Sequence, residues 1–169
     1  MIETADLRLD KGVQSDWRDM YENVWSHAET ARYMQWRVTT SEADAQSRMA
    51  RTIDWQRTHD GYLVYEKRSG RAIGFAGVER IDAETCGETG IALGPAYVRR
   101  GYGRQIVTAL CRYCRETYGA RYFRYCAREK NAASRALAVS LGFAQTGAED
   151  RTDERDGLPY RIVVYQKEI

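Results

Sequence analysis

Histidine is scarce in this chain. Only His27 and His59 are present, and neither lies near a nucleophile in a motif that would form a nucleophile–base pair. The four cysteines, Cys86, Cys111, Cys114 and Cys126, show no paired metal-binding arrangement, so a zinc site is set aside and no metal is expected. Cys111 and Cys114 stand three apart, but inside an apolar helical pattern, which suits buried thiols better than a redox pair. An excess of one charge is missing too. The 26 Lys and Arg are interleaved with 24 Asp and Glu, leaving a net charge of +2, so no global field draws nucleic acid or anionic lipid, although local basic clusters can still hold phosphate. No apolar run approaches the length of a membrane span, and the opening MIETADLRLD lacks a basic-then-apolar signal pattern. The expectation is a cytoplasmic protein with neither membrane nor nucleic-acid partners.

What is present is a chain of 169 residues, 43% apolar and 30% charged, enough for one core and one α/β (α+β) domain over residues 1–169. Residues 5–9 form a short first strand. From Asp16 to about Glu29, Trp17, Met20, Tyr21, Val24 and Trp25 recur at helical spacing. Ser41 and Asp44 cap a second helix with Ala45, Met49 and Ile53 on one face. GYLVYEK and RAIGFAGVERI read as strands joined at Ser69–Gly70, and ETGIAL as a third. A helix follows from Arg104 to Tyr118 and stops at Gly119; RYFRYCA is a strand, and NAASRALAVSLGF a helix capped by Asn131 and ended by Gly142. Two closing strands over 143–150 and 159–166 flank EDRTDERD, read as a solvated loop.

VRRGYGRQ, residues 98–105, sets two glycines among arginines where a helix begins. Free amides at a helix N-terminus and the local dipole stabilise an anion, and Gly101 and Gly103 let a phosphate approach the backbone. From the motif alone a phosphate ligand, a nucleic-acid backbone and a plain turn stay open. A dinucleotide fingerprint lacks its third glycine here, and a P-loop lacks its Lys-Ser/Thr pair.

The order IALGPAY, VRRGYGRQIVTAL, YFRYCAR, NAASRALAVSLGF resembles the Gcn5-related N-acetyltransferase (GNAT) superfamily. The likeness is spread over about 70–169. The front half, ARYMQWRVTTSEADAQSRMARTIDWQ, is similar to the branch that acetylates N-terminal amines of ribosomal proteins (RimJ/RimL-type), which also holds antibiotic and small-amine acetyltransferases. The resemblance implies a mixed, mostly antiparallel sheet of about six or seven strands flanked by about four helices. It implies acetyl-coenzyme A as cofactor, its pyrophosphate on the amides and side chains of Arg99, Arg100, Gly101, Tyr102, Gly103 and Arg104, and its pantetheine beside Asn131 and Ser134. The activity implied is acetyl transfer to a primary amine by direct attack through a tetrahedral intermediate, with no covalent enzyme nucleophile. Backbone amides of Ile91, Ala92 and Leu93 are expected to polarise the thioester carbonyl. Glu88 is the expected base, with Glu79 its competitor, and Ser134 a donor to the leaving thiolate.

Two departures stand out. Val98 replaces the Arg or Gln frequent before the first glycine, and Ala138 occupies the position of a family tyrosine. They leave open a second class, a coenzyme A-binding domain without activity that serves as sensor or scaffold. Trp25, Arg32, Tyr33 and Met34 are the expected acceptor region. The acceptor, small amine or protein N-terminus, is not fixed, nor is monomer against homodimer.

Overall fold

The computed structural model describes all 169 residues. Eight strands form one sheet in the order β1-β2-β3-β4-β5-β6-β8-β7; β2 (Leu7–Asp10) is the first strand expected over residues 5–9, shifted by two residues at its start, and the two-residue β1 (Ile2–Glu3) is the addition. The central strands are β3 (Asp60–Glu66), β4 (Ala72–Arg80), β5 (Thr85–Leu93) and β6 (Tyr122–Arg128). The chain closes with β7 (Ala144–Thr152) and β8 (Pro159–Glu168). Every neighbouring pair is antiparallel except β5 with β6.

That parallel pair needs a crossover, which α4 (Tyr102–Tyr118) supplies over one face. Ile106, Val107, Leu110 and Cys114 of α4 pack with Leu9, Val64, Ile73 and Phe123 of the sheet, and Ala138 of α5 (Ala132–Ser140) joins the same core. Gly119 ends α4 in the left-handed conformation (φ 65°), its amide donating back to Arg115 O. On the other face Met20, Val24 and Trp25 pack with Ala45 and Met49 of α3 (Glu42–Gln56) against Leu63, Tyr65 and Ala72. Ser41 caps α3 by accepting from the Asp44 amide.

The single helix expected over residues 16–29 is broken. α1 (Trp17–Met20) runs into one π-turn, Tyr21–Trp25, and α2 (Ala28–Ala31) restarts after His27. Ser26 explains the break: both its amide and its hydroxyl donate to Tyr21 O, five residues back, at 3.2 and 2.7 Å. The apolar periodicity survives because Met20, Val24 and Trp25 still face the sheet.

EDRTDERD is not a solvated loop. Asp153 is buried and binds both Arg128 (2.8 Å) and Arg155 (2.7 Å). These hydrogen bonds hold its carboxyl well below the ordinary carboxylate range. Arg155 in turn donates to Ala31 O at 2.8 Å and Trp36 O at 3.3 Å, while Arg37 donates to Arg155 O at 2.6 Å. The tip of the last hairpin thus clamps the segment between α2 and α3. A charge run reads as solvated when its partners lie more than a hundred residues away in sequence. No helix is long and apolar enough to cross a membrane.

Candidate active site

The sheet opens at its parallel seam. β5 and β6 pair only at Thr85–Tyr122, Cys86–Phe123 and Gly87–Arg124, after which the strands diverge. The opening is prepared within β5: Val78 pairs with Glu88 and Gly77 with Gly90, so Thr89 is an extra, bulged residue, and Gly90 takes φ +127°. A cleft of about 680 Å³ enters here, lined by Glu88 and Ile91 on one side and Tyr125, Ala127, Asn131 and Ser134 on the other.

Glu88 sits at the apex of the divergence. Its Oε1 accepts from the Cys126 amide at 3.2 Å, where a backbone ladder bond would otherwise continue. Burial is the main influence on this carboxyl and raises it to about 7; the amides of Cys126 and Gly90 oppose the shift, while the charge of Glu79 adds to it. Glu79 also borders the cleft but is exposed on β4. Of the two carboxylates, only Glu88 holds the apex position.

Beyond β5 the chain enters the turn at residues 98–104, which opens α4. The first backbone donor after Tyr97 is Gln105, bonded to Gly101 O at 3.2 Å; the amides of Val98 through Arg104 have no partner within the protein. Gly101 is left-handed (φ 78°) and caps α4, and Arg99 is also left-handed (φ 61°), so the turn curls its amides around the helix start. Gly103 matters for space: a Cβ there would stand 3.1 Å from Leu137 Cδ2. Seven free amides beside a helix N-terminus fit a pyrophosphate.

The side chains of this turn point to other tasks. Tyr102 Oη donates to Glu66 Oε1 at 2.8 Å and Arg100 pairs with the same oxygen at 3.5 Å. Glu66 is buried, and its carboxyl lies below the ordinary range because Tyr102 and then Ser69 hydrogen-bond it. Glu66 therefore anchors the turn from below, a role that nothing local in the sequence marks. Arg104 reaches Ser140 Oγ at 3.0 Å. Of the three arginines, only Arg99 has no side-chain partner in the protein.

Asn131 caps α5, its Oδ1 accepting from the Ser134 amide at 3.2 Å while the residue lines the cleft. Ser134 Oγ lies 2.8 Å from Tyr125 Oη, and burial pushes the Tyr125 phenol up to about 12. Ala138 is buried and leaves no phenol at its position. Of the expected carbonyl-polarising residues, Ile91 lines the cleft; Ala92 and Leu93 lie farther along β5, paired with Phe75 and Gly74.

The expected acceptor residues are brought together only in part. Tyr33 and Met34 line the cleft, Tyr33 Oη donating to Lys130 O at 3.1 Å. Arg32 is exposed on neither cavity wall; only its carbonyl is used, by Arg155. Trp25 is 2% exposed and belongs to a second cavity, on the α3 side, with Trp36, Arg48 and Arg51, the last two of which sequence reasoning missed. The thiols stay inert: burial pushes Cys111 up to about 12 and Cys114 higher still.

A family model described as an acetyltransferase (GNAT) domain matches residues 6–144. No curated protein matches the chain. Among solved structures, a GCN5-related N-acetyltransferase from Brucella melitensis is 17% identical with a TM-score of 0.86, covering 99% of this chain and 77% of its own. An acetyl transferase from Salmonella typhimurium that modifies the N-terminal serine of ribosomal protein L7/L12 is 20% identical (TM-score 0.78, 98% and 96% covered). The microcin C7 self-immunity acetyltransferase MccE, solved with acetyl-CoA and AMP, is 17% identical (TM-score 0.82, 98% and 94% covered).

Proposed function

The chain belongs to the GNAT acetyltransferase domain family, and from that premise we propose that it moves an acetyl group from acetyl-coenzyme A to a primary amine by direct attack. The observation that carries this reading is a pair of features that β5 joins: the cleft at the splayed β5–β6 pair with Glu88 at its apex, and, where the chain passes from β5 into α4, the unpartnered amides of residues 98–104. Solution of MccE with acetyl-CoA supports the choice of donor.

The donor supplies an activated thioester. The amides from Val98 to Arg104 bind its pyrophosphate, and Arg99 adds charge. Asn131 and Ser134 line the arm, and the edge of β5 at Ile91 orients the carbonyl. Glu88 takes the proton of the acceptor ammonium, directly or through water; a carboxyl near 7 is ionised often enough at neutral pH and basic enough when it is. Ser134 gives a proton to the departing sulfur, with Tyr125 Oη behind it at 2.8 Å to restore that proton. This hydroxyl pair takes the place of a tyrosine at Ala138.

The similarity of residues 31–56 to the ribosomal-protein branch, with the 20% identity of the Salmonella enzyme, keeps a protein N-terminal amine among the acceptors beside small amines. The test is calorimetric titration with acetyl-coenzyme A, then thiol release across an amine and peptide panel. Gly103→Glu, which places bulk and negative charge among the amides, is expected to weaken acetyl-coenzyme A by at least about 100-fold, the scale of several lost charge-assisted bonds. Binding without turnover on any amine favours the coenzyme A-binding domain without activity. No binding removes the donor reading altogether.

A further inference from the structure

The second cavity, of about 580 Å³, lies between α3, the segment 36–39 and the strands β3 to β5. It meets the donor cleft at four shared residues, Trp36, Phe75, Thr89 and Gly90. A ligand there can therefore extend one group past the β5 bulge toward Glu88. Its volume is that of a pocket for a small organic molecule.

The charges on its wall are one-sided: Arg37, Arg48 and Arg51 against Asp44 alone. Arg37 is engaged with Arg155 O, and Asp44 accepts from Ser41 Oγ at 2.8 Å rather than pairing with Arg48 one turn on. Arg48 has no carboxylate partner anywhere. Its guanidinium carbon lies 4.6 Å from the ring centre of Trp25 and 4.2 Å from that of Trp36, so the cation sits over both rings while its N–H groups line the edge of the guanidinium. Of the five N–H groups on that edge, one donates, from Nη1 to Thr39 Oγ1 at 3.1 Å. Burial, with Arg51 beside it, brings Arg48 down to about 10; it stays a cation at neutral pH, but an unneutralised one. The same wall holds another unused donor, Trp36 Nε1–H, buried without an acceptor.

We propose that this cavity is the acceptor pocket and that it selects a small primary amine carrying an oxyanion, a carboxylate or a phosphate, gripped by the edge of Arg48 with Arg51 beside it. The proposal rests on the acetyltransferase reading of the donor cleft. A fork of parallel N–H groups is the geometry that matches such oxyanions, and contact with two indole rings holds the guanidinium in place beforehand. A polycationic amine meets the wrong charge here.

The test separates this pocket from the donor site. Protein saturated with coenzyme A, so that the turn at residues 98–104 is filled, is titrated calorimetrically with O-phosphoserine, aspartate, serinamide and spermidine. At least one oxyanion-bearing amine should bind about tenfold or more tighter than serinamide and spermidine, the size of charged hydrogen bonds. Arg48→Gln should erase that advantage while coenzyme A affinity holds. Arg48→Lys, which keeps the charge and the stem but loses the fork, should fall between and guards against a folding defect in the first variant. An advantage confined to O-phosphoserine identifies phosphate; one shared by aspartate admits carboxylate. Equal or tighter binding of serinamide or spermidine, no binding of either oxyanion amine, or an advantage that survives Arg48→Gln overturns the proposal. Failure of coenzyme A itself to bind is a different result: it removes the donor reading, and the same ligands with free wild-type and Arg48→Gln protein still decide the pocket.

Discussion

The two cavities that meet at Gly90 are made of different material. The first is shaped by backbone, a bulge and two diverging strands around the side chains of Glu88, Tyr125, Asn131 and Ser134, and β5 leads from it to a run of amides at a helix start. The second cavity is built from side chains, with indoles and guanidinium groups brought in by α3 and the segment before it. Backbone sites recognise what every substrate of a class shares, because amides are the same whatever the residue. Side-chain sites recognise what distinguishes one substrate from another, because each group is a separate choice. On the reading proposed for the two sites, main chain does most to hold the donor and side chains most to hold the acceptor.

That division can be broken by substitution. The largest effect is expected at Glu88, which serves the junction. Glu88→Gln keeps an oxygen for the Cys126 amide and should lower kcat by about 10²–10⁴, the range for lost general-base catalysis. In the wild type, kcat/KM should rise with pH through about 7 as Glu88 loses its proton; the direction follows because the base must be ionised and burial raises its value. The acid limb should vanish in Glu88→Gln, and an unchanged limb would assign it to another group.

Next comes the clamp. Arg155→Ala frees Ala31 O and Trp36 O and leaves Asp153 with Arg128 as its one side-chain partner beside the backbone amide of residue 155. It should raise the acceptor KM about tenfold, the effect of mispositioning a binding wall by a fraction of an ångström, and lower Tm, while acetyl-coenzyme A affinity is unchanged. A parallel loss of acetyl-coenzyme A would mean that the two sites are not separable. Ser134→Ala should be the mildest, a loss in kcat of less than about tenfold, because solvent can also protonate a thiolate of ordinary basicity. It belongs to the donor side, so the acceptor KM should not move.

The same division explains what the sequence made legible. Glycines, caps and strand–helix alternation report backbone directly, so the turn at residues 98–104, the Asn131 cap and the crossover could be placed from local pattern. Arg48 could not. It stands between the core positions Ala45 and Met49 and four residues after Asp44, where helical spacing suggests a surface ion pair. It turns instead to Trp25 and Trp36, whose positions depend on the broken helix and on a hairpin clamp formed from the far end of the chain. Glu66 and Arg155 were hidden for the same reason, their partners Tyr102 and Ala31 being distant in sequence, and Asp153 was hidden because nothing in the charge run marks it as the buried member. Tyr33 and Met34 line the cleft beside Glu88, but the chain path turns Arg32 outward to solvent and Trp25 toward the other cavity.

The short pairing of β5 with β6 has a consequence for the sheet as a whole. Beyond Gly87 and Arg124 each strand keeps one partner and exposes its other flank, so the sheet contains an edge in its own interior. An unpaired flank on the perimeter invites another chain to add a strand. Here the invitation is screened by α5 and the segment around Tyr33 and Met34, and only something narrow and extended can answer it. A slender molecule carrying amide groups can complete both flanks at once, as an added strand would, and in doing so it would mend the fracture that the fold leaves open down its middle.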